Sequence, residues 1–240
     1  MLPWDAEELI FDETRFSGVA RLFPLPDLVM FPHVMQPLHI FEPRYREMLN
    51  DALDGDGLIA MSVLAPGWED DYDGRPELLP QVCLGKVVTH QRLHDGRYNI
   101  MLLGSRRARI LAEAPATRSF RQAEIELLDE VYSVDGESDR PEMQAELTAR
   151  FQKSLPLPKG VKAEGPVHEL LASELPLGVL TDLASFALPL DARLKCELLA
   201  EPDVDCRARM LLQALGSPWK RNGSAAAYAI GGYPPRFSRN

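Results

Sequence analysis

Prolines 24, 26, 32, 37 and 43 punctuate one apolar stretch, ARLFPLPDLVMFPHVMQPLHIFEP. A helix interior cannot hold Pro, which lacks the N–H and clashes with the preceding turn. The stretch up to Ile40 is therefore strand and turn. Strands accept Pro only at edges or bulges, so a curled, irregular sheet is expected, with Leu22, Leu25, Phe31 and Phe41 in its core. Pro43 differs, because the first helical position has no use for its missing N–H. Behind it, Tyr45, Met48, Leu49, Ala52 and Leu53 follow the spacing of one buried helical face, and Gly55 and Gly57 supply the stop.

Further strands follow. LIAMSVL reads as a buried strand, and GWEDDYDGRPELLP as an acidic loop. VCLGKVVTHQRL and RYNIMLLG flank Asp95-Gly96, a strong hairpin signal. RRARILAEA and FRQAEIELLDEV alternate charged and apolar residues as strands do. About six strands and one helix result.

SVDGESDRP marks a boundary, beyond which the period changes to a helical one. Met143, Leu147, Phe151 and Leu155 recur every four residues, and LPLPKGVKAEGP breaks that helix. VHELLASEL, PLGVLTDLASFAL, DARLKCELLAE and DVDCRARMLLQALG continue with apolar residues three and four apart. Asp191 and Asp203 stand where helix N-caps belong. The expected class is α+β, with residues 17–135 a β-rich unit, 139–216 an α-helical bundle and 217–240 a tail.

Charge and cysteine content narrow the function. The 36 acidic residues outnumber 26 basic ones for a net charge of −10, which repels phosphate backbones and argues against nucleic acid as partner. Cys83, Cys196 and Cys206 are too few and scattered for a disulfide framework, as suits a reducing compartment. MLPWDAEELIFDE lacks the basic start of a signal peptide. No apolar run reaches the roughly 18 residues of a membrane span. A cytoplasmic protein without membrane contact is expected.

Catalytic constellations are missing from the sequence. Gly160 and Gly165 have the spacing of a phosphate loop, but Pro166 stands where that loop needs Lys. His90 and His94 flank the hairpin, where strand geometry separates them by roughly 13 Å, too far to share a metal. No serine sits in a GxSxG elbow. The expectation is no catalytic residue, no cofactor and no metal. Arg106, Arg107 and Arg109 form one basic cluster, split across two faces of a strand. Ion pairing with the acidic surface is its simplest role. Anchoring an acidic or C-terminal group of a bound peptide is the functional one.

One set of motifs is specific. Leu22-Phe23-Pro24-Leu25, Phe31-Pro32, Pro37-Leu38 and Phe41-Glu42-Pro43-Arg44-Tyr45 resemble the opening of the Lon protease N-terminal, substrate-binding domain family. The similarity continues through Asp95-Gly96-Arg97-Tyr98, Gly104 to Arg107, and Phe120-Arg121-Gln122-Ala123. It ends in Lys195, Leu198-Leu199, Asp203-Val204 and Arg207, covering about residues 20 to 215. The resemblance implies an N-terminal PUA-like β-barrel with one helix, followed by a helical bundle. It implies a non-enzymatic protein, since no ATPase or Ser-Lys protease module accompanies it. The partners implied are unfolded polypeptides or peptide degrons, together with a protease or chaperone that the protein would serve as adaptor. The ubiquitin-ligase receptors that share this domain add paired CxxC zinc motifs, which this chain lacks.

Most motif residues have structural work to do. Prolines 24, 26, 32 and 37 fix the strand path, and Glu42 and Arg44 open the helix with the acid at the positive end of its dipole. A peptide site would use an apolar surface beside them, drawn from Met30, His33, Met35, Glu42, Arg44, Tyr45 and Arg107. Methionine suits such a surface because its side chain adapts to varied partners. The competing reading is a small-molecule-binding or regulatory protein that uses the cleft between barrel and bundle.

Overall fold

The computed structural model describes residues 11–72, 74–154 and 175–216. Strands β1 (Val19–Leu25) and β2 (Met35–Ile40) precede helix α1 (Pro43–Leu53). Then come β3 (Leu58–Leu64), β4 (Leu78–Arg92), β5 (Tyr98–Glu113) and β6 (Arg121–Leu128). Helices α2 (Arg140–Ser154), α3 (Leu177–Ala187), α4 (Ala192–Ala200) and α5 (Val204–Gly216) follow. Leu155, the LPLPKGVKAEGP break, nearly all of VHELLASEL and the 217–240 tail lie outside the described residues.

The strands form one sheet in the order β2-β5-β4-β3-β1-β6, and a further β5–β6 pairing bends it into a ring. β1 and β3 are parallel, and the other pairs are antiparallel. The runs RYNIMLLG and RRARILAEA are one strand, β5, which changes partner along its length. Tyr98–Leu103 pairs with β2, and Arg107–Glu113 pairs with β6. The switch falls at Gly104, where β5 also carries a bulge against Gly85 of β4. Gly104 N–H donates to Val34 O, and His33 N–H donates to Gly104 O, both at 2.9 Å. A Cβ on Gly104 would run into the carbonyl oxygen of Phe31.

Proline placement obeys the edge rule. Pro37 sits in β2, which has a partner on one side only. Pro24 lies past Leu22, where the pairing of β1 with β6 ends. The β4–β5 loop is longer than a two-residue turn. Leu93 N–H bonds Arg97 O at 2.8 Å, and Gly96 alone takes positive φ (80°) there.

Two apolar clusters hold the molecule together. Inside the ring, Ala20, Leu22, Leu58, Ala60, Val82, Leu84, Ala108, Ala123 and Ile125 meet, the four alanines allowing tight closure. Phe11 and Phe16, edge to face with centroids 5.8 Å apart, pack against this cluster. The second cluster is continuous from the strands through α1 to the later helices, joining Phe23, Met61 and Leu49 to Leu180, Leu198 and Leu211. The helix α1 buries Tyr45, Met48, Leu49 and Ala52, as its spacing predicts. Both Gly55 and Gly57 turn their N–H groups onto Ala52 O, closing it. Arg21 of β1 ties the helix down through Asp51 at 2.5 Å and Asp56 at 2.6 Å.

The later helices begin as their sequences direct. Asp203 Oδ1 accepts from Cys206 N–H at 2.9 Å, and Asp191 Oδ1 accepts from Leu194 N–H at 2.7 Å. Lys195 reaches back to Phe186 O at 2.8 Å and satisfies a carbonyl in the last turn of α3. Burial pulls its ammonium down to about 8. Replacing Asp191 by Ala should cost about 1 kcal/mol in urea unfolding, the usual worth of a side-chain cap. A loss within error of zero would show that packing alone sets the start of α4.

Candidate functional site

Among the described strands, β2 is the one with a single neighbour in the sheet. Met35, Pro37 and His39 alternate along it and register against Leu103, Met101 and Asn99 of β5. Residues opposite one another across a strand pair share a face. The result is a two-strand apolar face built from Met35, Pro37, Met101 and Leu103. Met35 is 51% exposed, and Phe41, just past the end of β2, is 53% exposed. At the Phe41 end, His39 Nδ1 lies 2.7 Å from Asn99 Oδ1, and its ring stacks on Phe41 with centroids 6.1 Å apart. The alternate residues Gln36 and Ile40 are buried on the opposite face.

Phe41 was expected in the core and instead lies at the surface, while Phe31 and Leu22 are fully buried as expected. The reason is local: the chain leaves β2 at Ile40, and Glu42 takes the N-cap position of α1. Phe41 falls in the turn between them.

The seven residues expected at a peptide site do not form one surface. Met30 and Tyr45 are buried, and Arg107 is 2% exposed, so their side chains offer a surface peptide almost nothing. Met30 goes inside because the Pro26–Val34 loop tucks against β5, its backbone held at His33 by positive φ (64°) and by the Gly104 hydrogen bonds. His33 is exposed. Glu42 and Arg44 are half-buried and paired at 2.9 Å. Met35 alone of the set lies on the open β2 face. Phe41, Met101 and Leu103 join it there. The alternation Asn99, Met101, Leu103 carried the signal, but only the β2–β5 register shows which residues it faces.

Arg107 has a different occupation. Its guanidinium pairs with Asp182 of α3, a fully buried carboxylate, and with Glu130 at 3.1 Å. Glu130 also pairs with Arg207 of α5, itself fully buried. Arg207 continues to Thr181 Oγ1 at 3.2 Å and Glu201 O at 2.9 Å. Burial pushes the Asp182 carboxyl up, and Arg107 pulls it back. His33 Nε2 stands 3.8 Å from Asp182 at the rim. Arg106 pairs with Asp129, and Arg109 with Glu126 at 2.5 Å. The whole basic cluster is ion-paired, with its middle member fastening the strands to the helices.

Cys83 lies beside this network, its thiol pushed up by burial. Among the described residues no three metal-ligating side chains converge, and no helix is long and apolar enough to cross a membrane.

This arrangement has known relatives. Lon protease 2 of Desulfotalea psychrophila is 31% identical over 200 residues, which are 83% of this chain and 25% of that protein. Lon protease 2 of Syntrophobacter fumaroxidans is 28% identical over 183 residues, 70% of this chain and 22% of that protein. The chain thus spans about a quarter of the length of these relatives. In solved structures, the N-terminal domain of Mycobacterium avium complex Lon protease superposes with a TM-score of 0.64 at 17% identity, covering 84% of this chain and 100% of that domain. The Lon N-terminal domain protein from Xanthomonas campestris gives a TM-score of 0.57 at 18% identity over 81% of this chain and 97% of that one. The likeness in fold agrees with the PUA-like, α+β expectation. Residues 19–217 match the family described as the ATP-dependent protease La (LON) substrate-binding domain, and the chain belongs to that family.

Proposed function

We propose that this chain is a non-catalytic, cytoplasmic module that binds unfolded or degron-like polypeptides and hands them to a protease or chaperone. In this reading residues 17–135 act as the PUA-like barrel and 139–216 as the helical bundle. The observation that carries it is the β2 face: a strand edge without a neighbour among the described residues, bordered by Met35 and Phe41, each about half exposed, with Met101 and Leu103 beside them. An extended segment can add to such an edge through main-chain hydrogen bonds, which any sequence offers. Methionine side chains then adapt to whatever apolar residues arrive. Membership in a family described by substrate binding supports the same reading. Little favours the alternative of a small ligand held between strands and helices, because Arg107, Asp182, Glu130 and Arg207 occupy that junction.

The test is a fluorescence-anisotropy titration of a labelled, permanently unfolded polypeptide. Saturable binding with Kd of order μM is expected. Met35→Asp and Phe41→Asp should each weaken it by about tenfold, whereas Arg109→Glu, outside this face, should leave it unchanged. A flat titration up to ~100 μM, or equal binding by all three variants, refutes the assignment to β2.

A further inference from the structure

We propose that the cavity between the start of α1, Tyr72, the run Gly74 to Pro76 and the segment before β6 is a binding site for a single small oxyanion, a carboxylate or phosphate group. The cavity measures about 50 Å³ and is lined by Arg44, Arg75, Arg121, Tyr45, Tyr72 and Ser119 among others. One water needs roughly 10–15 Å³ measured this way, so the space admits a group of a few heavy atoms and little more. Three guanidiniums meeting at one small void are conspicuous in a chain of net charge −10.

Their internal pairing leaves capacity. Arg75 and Arg121 share Glu113, each at 2.9 Å, and Arg121 also holds Pro76 O at 2.7 Å. Arg44 gives its Nε to Glu42 and lays the rest of its guanidinium beside the Tyr45 and Tyr72 rings, 4.8 and 5.3 Å from their centroids. Among the described residues the three guanidiniums pair with Glu42 and Glu113, while Asp71 accepts from Arg75 N–H at 3.3 Å and Glu47 from Ser119 Oγ at 2.6 Å. Tyr72 spends its hydroxyl on Glu42 at 3.0 Å. Tyr45 does not: the residue lines the cavity, its ring is buried against Phe23, and its hydroxyl makes no hydrogen bond among the described residues. Burial raises it far above its ordinary value, so it stays a proton donor. The Tyr45 O–H and the terminal N–H groups of Arg44 therefore supply donors beside this void, of the kind that a planar or tetrahedral oxyanion accepts. This site does not depend on the polypeptide reading, since it uses neither the β2 edge nor Met35.

The experiment follows the thermal unfolding midpoint of the full chain in sodium phosphate, sodium acetate and sodium chloride at matched ionic strength. Phosphate stabilises many proteins by exclusion from their surfaces, so the variants decide. The wild type should gain a saturable increase over chloride in at least one oxyanion, and the better of the two names the geometry the cavity prefers. Tyr45→Phe keeps the buried ring and removes only the free donor. It should weaken the fitted affinity about tenfold, the worth of a hydrogen bond to a charged group. Arg44→Gln should abolish the saturable component. An identical shift in wild type and Tyr45→Phe would mean surface exclusion only. No shift in either oxyanion would mean that the arginines serve only to clasp the loop. Either result overturns the proposal, and because Tyr45→Phe is nearly isosteric, a folding failure of Arg44→Gln leaves the test intact.

Discussion

Replacing Asp182 by Ala should lower the unfolding free energy by about 3–5 kcal/mol, the largest loss expected from any one charged residue here. The substitution leaves the Arg107 guanidinium, 2% exposed, with Glu130 at 3.1 Å as its remaining described ion-pair partner, one it shares with the buried Arg207. Arg107 Nε already lacks a partner, so nothing nearby can take up the slack. At roughly 2–4 °C per kcal/mol for a chain of this size, the thermal midpoint should fall by about 10 °C. The double variant Arg107→Met, Asp182→Leu is the informative partner. Removing both charges together should restore most of the stability, because the cost lies in the stranded charge and less in the lost attraction. If the single variant loses under ~1 kcal/mol, water reaches the site and the pair is not buried in the working molecule. If the double variant is as poor as the single, the pair contributes net stability beyond mutual neutralisation.

Gly104→Ala should be comparably damaging for a steric reason. The added methyl would collide with the backbone oxygen of Phe31, which no rotamer change can move aside. The loop cannot retreat cheaply either, because Gly104 exchanges hydrogen bonds with His33 and Val34 on the same segment. Overpacking typically costs about 1–3 kcal/mol and more when backbone must shift, so a loss of about 3 kcal/mol in a denaturant titration is expected. Gly96→Ala offers a contrast, since its added methyl would meet only the flexible end of Arg46, at 3.1 Å, and it should cost about 1 kcal/mol, mainly for the strained φ. Equal losses at both positions would remove the case for a close approach at Gly104.

What could be read in advance follows from how local each feature is. Helix α1 was legible because Pro43, the Tyr45–Met48–Leu49–Ala52 face and the glycine stop all act within a few turns. The caps Asp191 and Asp203 were legible for the same reason. The fate of the arginine cluster was not: the sequence shows Arg107 between two charged neighbours, and its partner Asp182 lies 75 residues away. Met30 and Met35 make the point more sharply, being five positions apart in the same proline-rich run. One is buried and the other open because the loop between Pro26 and Val34 folds onto Gly104 of a strand met much later. The seven-residue site expectation therefore contained one member of the β2 face; Pro37 and Phe41 come from the same run, and Met101 and Leu103 from β5 by register.

The ring has a consequence for how the molecule behaves in a crowd of its own copies. Closing β5 on β6 removes the open sides that would otherwise let one sheet zip onto another, and among the described strands only β2 has a single neighbour. A strand edge of this kind is where aggregation by sheet growth begins. Here Pro37 stands at its middle with no N–H to offer, so two β2 edges cannot pair without a gap. The edge is short as well, Met35 to Ile40. A brief extended guest can settle for the donors that remain, while self-association through this edge is held to an incomplete and weak match.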